Sequence, residues 1–221
     1  MHIEPGIVTG AKIVLSYGTA AAAGLYTIKT AVEDLRAQGV ISLAARSFIA
    51  TAAVFTFFEV LPHYPVGVSE VHLILGSTLF LLLGAAPAAI GLALGLLLQG
   101  LLLAPFDLPQ YGMNVTSLLV PLFGLQLLAK RLIAPGTAYV DLKYRQALAL
   151  STAYQGGIVA WVAFWAFYGQ GFAAVGQVMT FGVAYMTVIL LEPLVDLAVL
   201  AVAKRATALR GSGLVTPRLY T

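Results

Sequence analysis

Long uninterrupted apolar runs constrain this chain more than any other feature. Segments such as 87–104, 145–168 and 174–203 are apolar at most positions and lack the period-two alternation of a barrel strand. Several exceed the roughly 18 residues that mark a membrane-spanning helix. In lipid every backbone polar group must be paired internally, which leaves helices or a closed barrel, and continuous runs select helices. Composition agrees: 60% of residues are hydrophobic and 10% charged, with a mean hydropathy of +0.94. Soluble domains are about a quarter charged. A chain this apolar could not cover a water-facing surface.

The expected fold is therefore an all-α integral membrane protein with about seven transmembrane helices, six being the alternative. The apolar segments run roughly over 7–31, 40–61, 71–84, 87–104, 113–133, 145–168 and 174–203. The third is short for a full span and meets the fourth at Gly84-Ala85-Ala86-Pro87, a tight-turn sequence. One polytopic domain over 1–221 is expected, with an N-terminal segment at 1–6 and a short polar tail at 204–221. With the N-terminus outside, the inner connections hold Lys29, Arg36, Arg46, Lys130, Arg131, Lys143 and Arg145. The inner tail holds Lys204, Arg205, Arg210 and Arg218. The outer loops at 62–70, 105–112 and 169–173 hold no Lys or Arg, and only Lys12 sits near the outer side. Because cytoplasmic loops carry the basic excess, the expectation is N-out and C-in at a prokaryotic cell membrane. Orientation also explains the net charge of +3 better than nucleic-acid binding does. Ser16, Ala20 and Gly24, and likewise Gly91 and Gly95, are four apart, which allows helix backbones to approach closely. Internal packing is the plainer reading of that spacing, and a docking face for another subunit the sharper one.

The absence of cysteine removes disulfides and thiolate metal sites. The first residues lack a positive n-region and a small-residue cleavage site, so the N-terminus is expected to be kept. Bulky His2 also disfavours removal of Met1. There is no G-x-x-x-x-G-K-[S/T] loop for ATP and no familiar hydrolase motif.

Chemistry concentrates at the outer end. His2, His63 and His72 all fall there, with Glu59, Glu70 and Asp107. The α-amine of Met1, the amide nitrogen of His2 and the His2 imidazole can chelate one ion through fused five- and six-membered rings. The amine, with a pKa of about 7.7–8, gives up its proton to a metal readily. Loss of the amide proton is harder, and Ni(II) and Cu(II) offset it by favouring square-planar nitrogen fields. Zn(II) prefers tetrahedral sites. His72 is the candidate for a fourth nitrogen. The plainer readings are a solvated His2, a structural His63 and a His72 satisfied by a carbonyl. Glu70 is a further ligand, a partner orienting His72, or a loop charge. Glu59, near the end of an apolar segment, is costly unless paired or protonated. Glu192 and Asp196 share one face of the seventh segment, where pairing with inner basic residues is the first expectation and a proton relay the second.

Met1-His2-Ile3-Glu4-Pro5-Gly6 resembles the M-H-I-x-x-G start of the cobalt/nickel substrate-binding membrane subunits of energy-coupling-factor transporters, the CbiM/NikM type. Val68-Ser69-Glu70-Val71-His72-Leu73-Ile74-Leu75-Gly76 is similar to that family's T-S-G-H-L-L-G stretch, and Tyr111-Gly112-Met113-Asn114-Val115 to its G-A-N-V segment. The resemblance implies a transport subunit rather than an enzyme, with Ni2+ or Co2+ as cargo and no cofactor. It implies metal ligation by the Met1 amine, the His2 amide and imidazole, and His72, with Asn114 close by. A transmembrane coupling protein and cytoplasmic ATPase subunits are the implied partners. The chain departs from the pattern at Glu4-Pro5, where Pro-Asp is usual, and at Glu70-Val71, where small residues are usual; both bear on which ion is taken. The alternatives are a binding subunit for another small solute, a membrane enzyme using Glu59, Glu70 and His72, or a purely structural partner protein.

Overall fold

The computed structural model describes residues 2–221. Seven α-helices follow in order: α1 Ile13–Gln38, α2 Val40–Glu59, α3 Gly76–Leu83, α4 Ala85–Leu102, α5 Tyr111–Leu132, α6 Tyr144–Gln170 and α7 Val175–Arg205. A hairpin of β1 Tyr64–Val66 and β2 Ser69–Val71 lies between α2 and α3, and 3-10 turns link several elements. Among the described residues, four helical stretches are long and apolar enough to cross a membrane: Val40–Glu59, Ala85–Leu102, Pro105–Leu132 and Tyr144–Arg205, the last containing α6 and α7. The bundle reverses the polarity of a soluble protein. Ile41, Phe48, Val183 and Leu190 are exposed, while Ser16, Arg46, Gln155, Glu192 and Asp196 are buried. Such a surface is solvated by lipid, not water.

The helix ends sort to two faces. The starts of α1, α5 and α7 lie with the ends of α2, α4 and α6 and with the hairpin. The opposite face gathers most of the basic residues. There Arg46, fully buried in α2, binds Asp34 of α1 at 2.5 Å and the Leu83 carbonyl that ends α3 at 2.7 Å. Residues after α7 fold back onto this face: the Thr216 N–H donates to Leu82 O at 2.8 Å, and Leu219 is buried.

Three local features differ from the expectation. The first helix spans 13–38 rather than 7–31, because residues before Gly10 pair with the hairpin while Lys29, Glu33, Asp34 and Arg36 continue the helix beyond its apolar part. Strands of three residues replace the irregular loop expected over 62–70. The third apolar segment is only partly helical. Its eight-residue helix α3 is about 12 Å long, well short of the roughly 30 Å hydrocarbon core. Ahead of it residues 72–75 are irregular, and Leu75 takes a left-handed conformation at φ 56° that turns the chain into α3. Lipid would not tolerate such backbone, but here it is enclosed by other helices.

Close packing follows the small residues. A Cβ on Gly91 would lie 2.3 Å from the Ala50 Cβ, and one on Gly95 would lie 2.6 Å from Val54, so α4 and α2 meet at van der Waals contact only because these positions are glycine. That is internal packing. Gly84, at φ 91°, makes the turn between α3 and α4 that the sequence predicts.

Candidate metal centre

The site is assembled by pairing the N-terminus with the hairpin. Ile3 bridges Ser69 in antiparallel fashion. The Glu4 N–H donates to Val68 O at 3.1 Å, and the Glu70 N–H to His2 O at 3.1 Å. Ser69 Oγ donates to the same His2 carbonyl at 2.8 Å. The N-terminal segment is in effect a third strand. Gly67 allows the hairpin turn to press on α7: its φ is +64°, and a Cβ there would fall 2.2 Å from Gln177 O. Asn114, in the first turns of α5, accepts the Ile3 N–H at 2.9 Å and anchors the strand from below. His2 and Ile3 are buried as a result.

Three ligand-type side chains converge. His2 Nδ1 lies 2.7 Å from Glu70 Oε2, and His72 Nε2 lies 2.8 Å from the same oxygen. Their donor atoms all fall within 4.8 Å of one another. The two imidazoles stand nearly perpendicular, at 86°, with centroids 5.7 Å apart. Phe58 walls the site against both rings. His63 stacks on His72 at 4.9 Å, with its Nδ1 3.2 Å from Leu61 O. Asp107 Oδ2 approaches His2 Nδ1 to 3.7 Å.

Electrostatics favour a cation. Burial opposes the charge of Glu70, but hydrogen bonds from His2 and His72 outweigh it and hold the carboxyl below the usual carboxylate range. Burial also raises Asp107 and Glu4, and the Glu70 charge adds to both. The cluster thus presents an anionic oxygen beside two imidazoles, donor types that a divalent transition metal ion takes. His2 Nε2 and His72 Nδ1 are buried without a hydrogen-bond partner among the described residues.

The structure brings together His2, Glu70, His72, His63 and Asn114. Met1, whose amine belongs to the expected chelate, lies outside the described residues. Glu59 forms no ion pair among them, at the end of α2. Asp107 was visible in the sequence only as a loop carboxylate; its burial beside His2 comes from the 3-10 turn Pro105–Gln110. Phe58 carried no signal beyond its place in an apolar run. The expectation for Glu192 and Asp196 is corrected. They bond Ser77, Thr78 and Gln155 rather than basic residues, because the bundle interior between α3, α6 and α7 offers hydroxyls and an amide there.

Comparison with known proteins bears on this arrangement. A family model described as the cobalt uptake substrate-specific transmembrane region, CbiM, matches residues 2–208. No curated protein matches. Two solved structures share the fold. The crystal structure of a truncated transition metal transporter has a TM-score of 0.70 at 18% identity, covering 93% of this chain and 99% of that one. The crystal structure of a transition metal transporter has a TM-score of 0.70 at 20% identity, covering 94% of each chain.

Proposed function

The chain belongs to the CbiM family of cobalt uptake transmembrane proteins, and from that premise we propose that it captures Co2+ or Ni2+ at the cluster of His2, Glu70 and His72. It is a multi-pass membrane transport subunit, and the ion is its cargo.

One observation carries the proposed site: His2 Nδ1 and His72 Nε2, 70 residues apart in sequence, point at a single Glu70 oxygen. Nδ1 is the imidazole nitrogen that closes a six-membered ring with a metal and the residue's own amide nitrogen. The Met1 amine would close the five-membered ring, and His72 would supply the fourth nitrogen. Glu70 adds an anionic oxygen, replacing the small residue usual in the family. Asn114 positions the strand, and His63 and Asp107 line the site. Nitrogen capture strips the hydration shell and releases protons.

The metal end is assigned to the outside and the basic end to the cytoplasm, with seven passages in which residues 72–83 form the third. The basic face at Arg46, Lys130, Arg145 and Lys204 supports that orientation. Energy would come from a transmembrane coupling protein and cytoplasmic ATPases, a reading consistent with the lack of a P-loop in this chain.

The test is calorimetric titration with Co2+ and with Ni2+, comparing the native N-terminus with a form carrying two added residues before Met1. The extension leaves every side chain chemically intact and displaces the amine. Tight binding by the native form alone supports the chelate; because nitrogen sites bind Ni2+ above Co2+ in general, uptake of each ion into cells, not the stronger affinity, names the cargo. Equal binding by both forms moves the ligands to His63, Glu70 and His72. No binding of either ion sinks the metal reading.

A further inference from the structure

A second polar cluster lies inside the bundle, away from the metal centre. Ser77 Oγ, in the first turn of α3, is 2.7 Å from Asp196 Oδ2 and 3.1 Å from Glu192 Oε1. Thr78 Oγ1 donates to Asp196 Oδ1, and Gln155 Nε2 donates to Glu192 Oε2. The N–H groups of Gly76 and Ser77, which open α3, also face Glu192. Both carboxyls are buried.

Charge and hydrogen counting limit what this cluster can be. Among the described residues neither carboxyl has a Lys, Arg or His partner; the basic residue nearest in sequence on α7, Lys204, pairs with Asp141. The other titratable groups facing the pair are Tyr154 of α6 and Tyr185 of α7. Two anions sharing one hydroxyl inside an apolar bundle repel each other and lack a counter-charge. Ser77 has a single hydroxyl hydrogen, yet two carboxyl oxygens lie within bonding distance of its Oγ. Two further fully buried polar atoms point into the cluster without partners among the described residues: Gln155 Oε1, beside Glu192, and the Tyr154 hydroxyl, packed against Gly76.

We propose that this pair is a proton-binding site. Asp196 carries one proton and donates it to Ser77 Oγ, Ser77 donates its own hydrogen to Glu192, and Glu192 stays ionised at the N-terminus of α3. The hydrogens of Asp196, Ser77 and Thr78 are then each used once: Thr78 donates to the remaining Asp196 oxygen, and the α3 amides and Gln155 donate to Glu192. The ionised group sits where the helix dipole favours an anion. The bound proton pins α3 to α7. It thereby fixes the segment that begins at His72, whose carbonyl is held by the Tyr185 hydroxyl at 3.4 Å.

The experiment is infrared spectroscopy of the intact protein in lipid membranes at neutral pH, without added metal, so the outcome does not depend on the metal centre. A protonated-carboxyl C=O band is expected. It should move to lower frequency when aspartate carboxyls are labelled with carbon-13, vanish in Asp196→Asn, and persist in Asp107→Asn. If Asp196→Asn does not fold, the isotope shift is read in Asp107→Asn, where the other buried aspartate near the metal centre is gone and Asp196 remains. A wild type without the band means that a metal or sodium ion neutralises the pair, and overturns the proposal. So does a band that moves only with glutamate labelling.

Discussion

Replacing Asn114 tests whether docking of the N-terminal strand creates the metal centre. Asn114 Oδ1 is the acceptor for the buried Ile3 N–H at 2.9 Å. Asn114→Ala leaves that N–H without a partner, a cost of about 1–3 kcal/mol. The cost falls only on the docked strand, which is otherwise held by the Glu4–Val68, Glu70–His2 and Ser69–His2 bonds. Undocking carries His2 away from His72, so only the docked fraction binds metal, and the apparent Kd rises as that fraction falls. At about 1.4 kcal/mol per tenfold, a metal-free strand whose docking is near balance in the wild type loses about 5- to 150-fold in Co2+ affinity. Asn114→Asp keeps an oxygen at the same place and should recover most of the affinity. Calorimetry on both variants, with thermal unfolding to establish that each is folded, gives the answer. If Asn114→Ala binds within twofold of wild type, or if the aspartate is as weak as the alanine, strand docking does not present His2 and the proposed geometry is wrong.

Other substitutions probe separate links. His72→Ala should abolish binding, whereas His63→Ala, which removes a stacked ring whose Nδ1 is directed at Leu61 O, should weaken it only severalfold; equal losses in titration would make His63 a ligand. Arg46→Ala leaves Asp34 and the Leu83 carbonyl without their partner. It should cost about 3–5 kcal/mol of stability, read as a large fall in Tm, and an unchanged Tm would count against the buried pair. Gly91→Val places atoms where Ala50 already sits and should cost at least about 1–3 kcal/mol. Gly124→Ala meets nothing within 4 Å and should stabilise α5 by up to about 1 kcal/mol. If both glycine variants melt alike, the close approach of α2 and α4 is not structural.

The apolar segments were legible because lipid selects long apolar runs locally, residue by residue. Segments four to seven fall within a few residues of α4 to α7. What the sequence hid lies where the chain departs from that rule. Strands of three residues are too short to show a period, and the second partner of β2, beside β1, is a segment at the far N-terminus. The third segment reads as apolar throughout, yet its outer half is irregular and enclosed, a state decided by its neighbours. The metal centre was half visible. His2 declares itself by position two, and His72 by its place at the end of an apolar run. Their meeting on Glu70 spans 68 residues, and the Asn114 anchor spans 111. Glu192 and Asp196 show the same limit in reverse. Their spacing predicted a shared helix face, which α7 provides. Which groups that face would meet depended on α3 being short enough to place its first turn, with Ser77 and Thr78, inside the bundle. The shortness of α3 therefore links the metal centre to the bundle interior, because the same departure that frees residues 72–75 to carry His72 into the metal centre also seats the inner carboxyl pair.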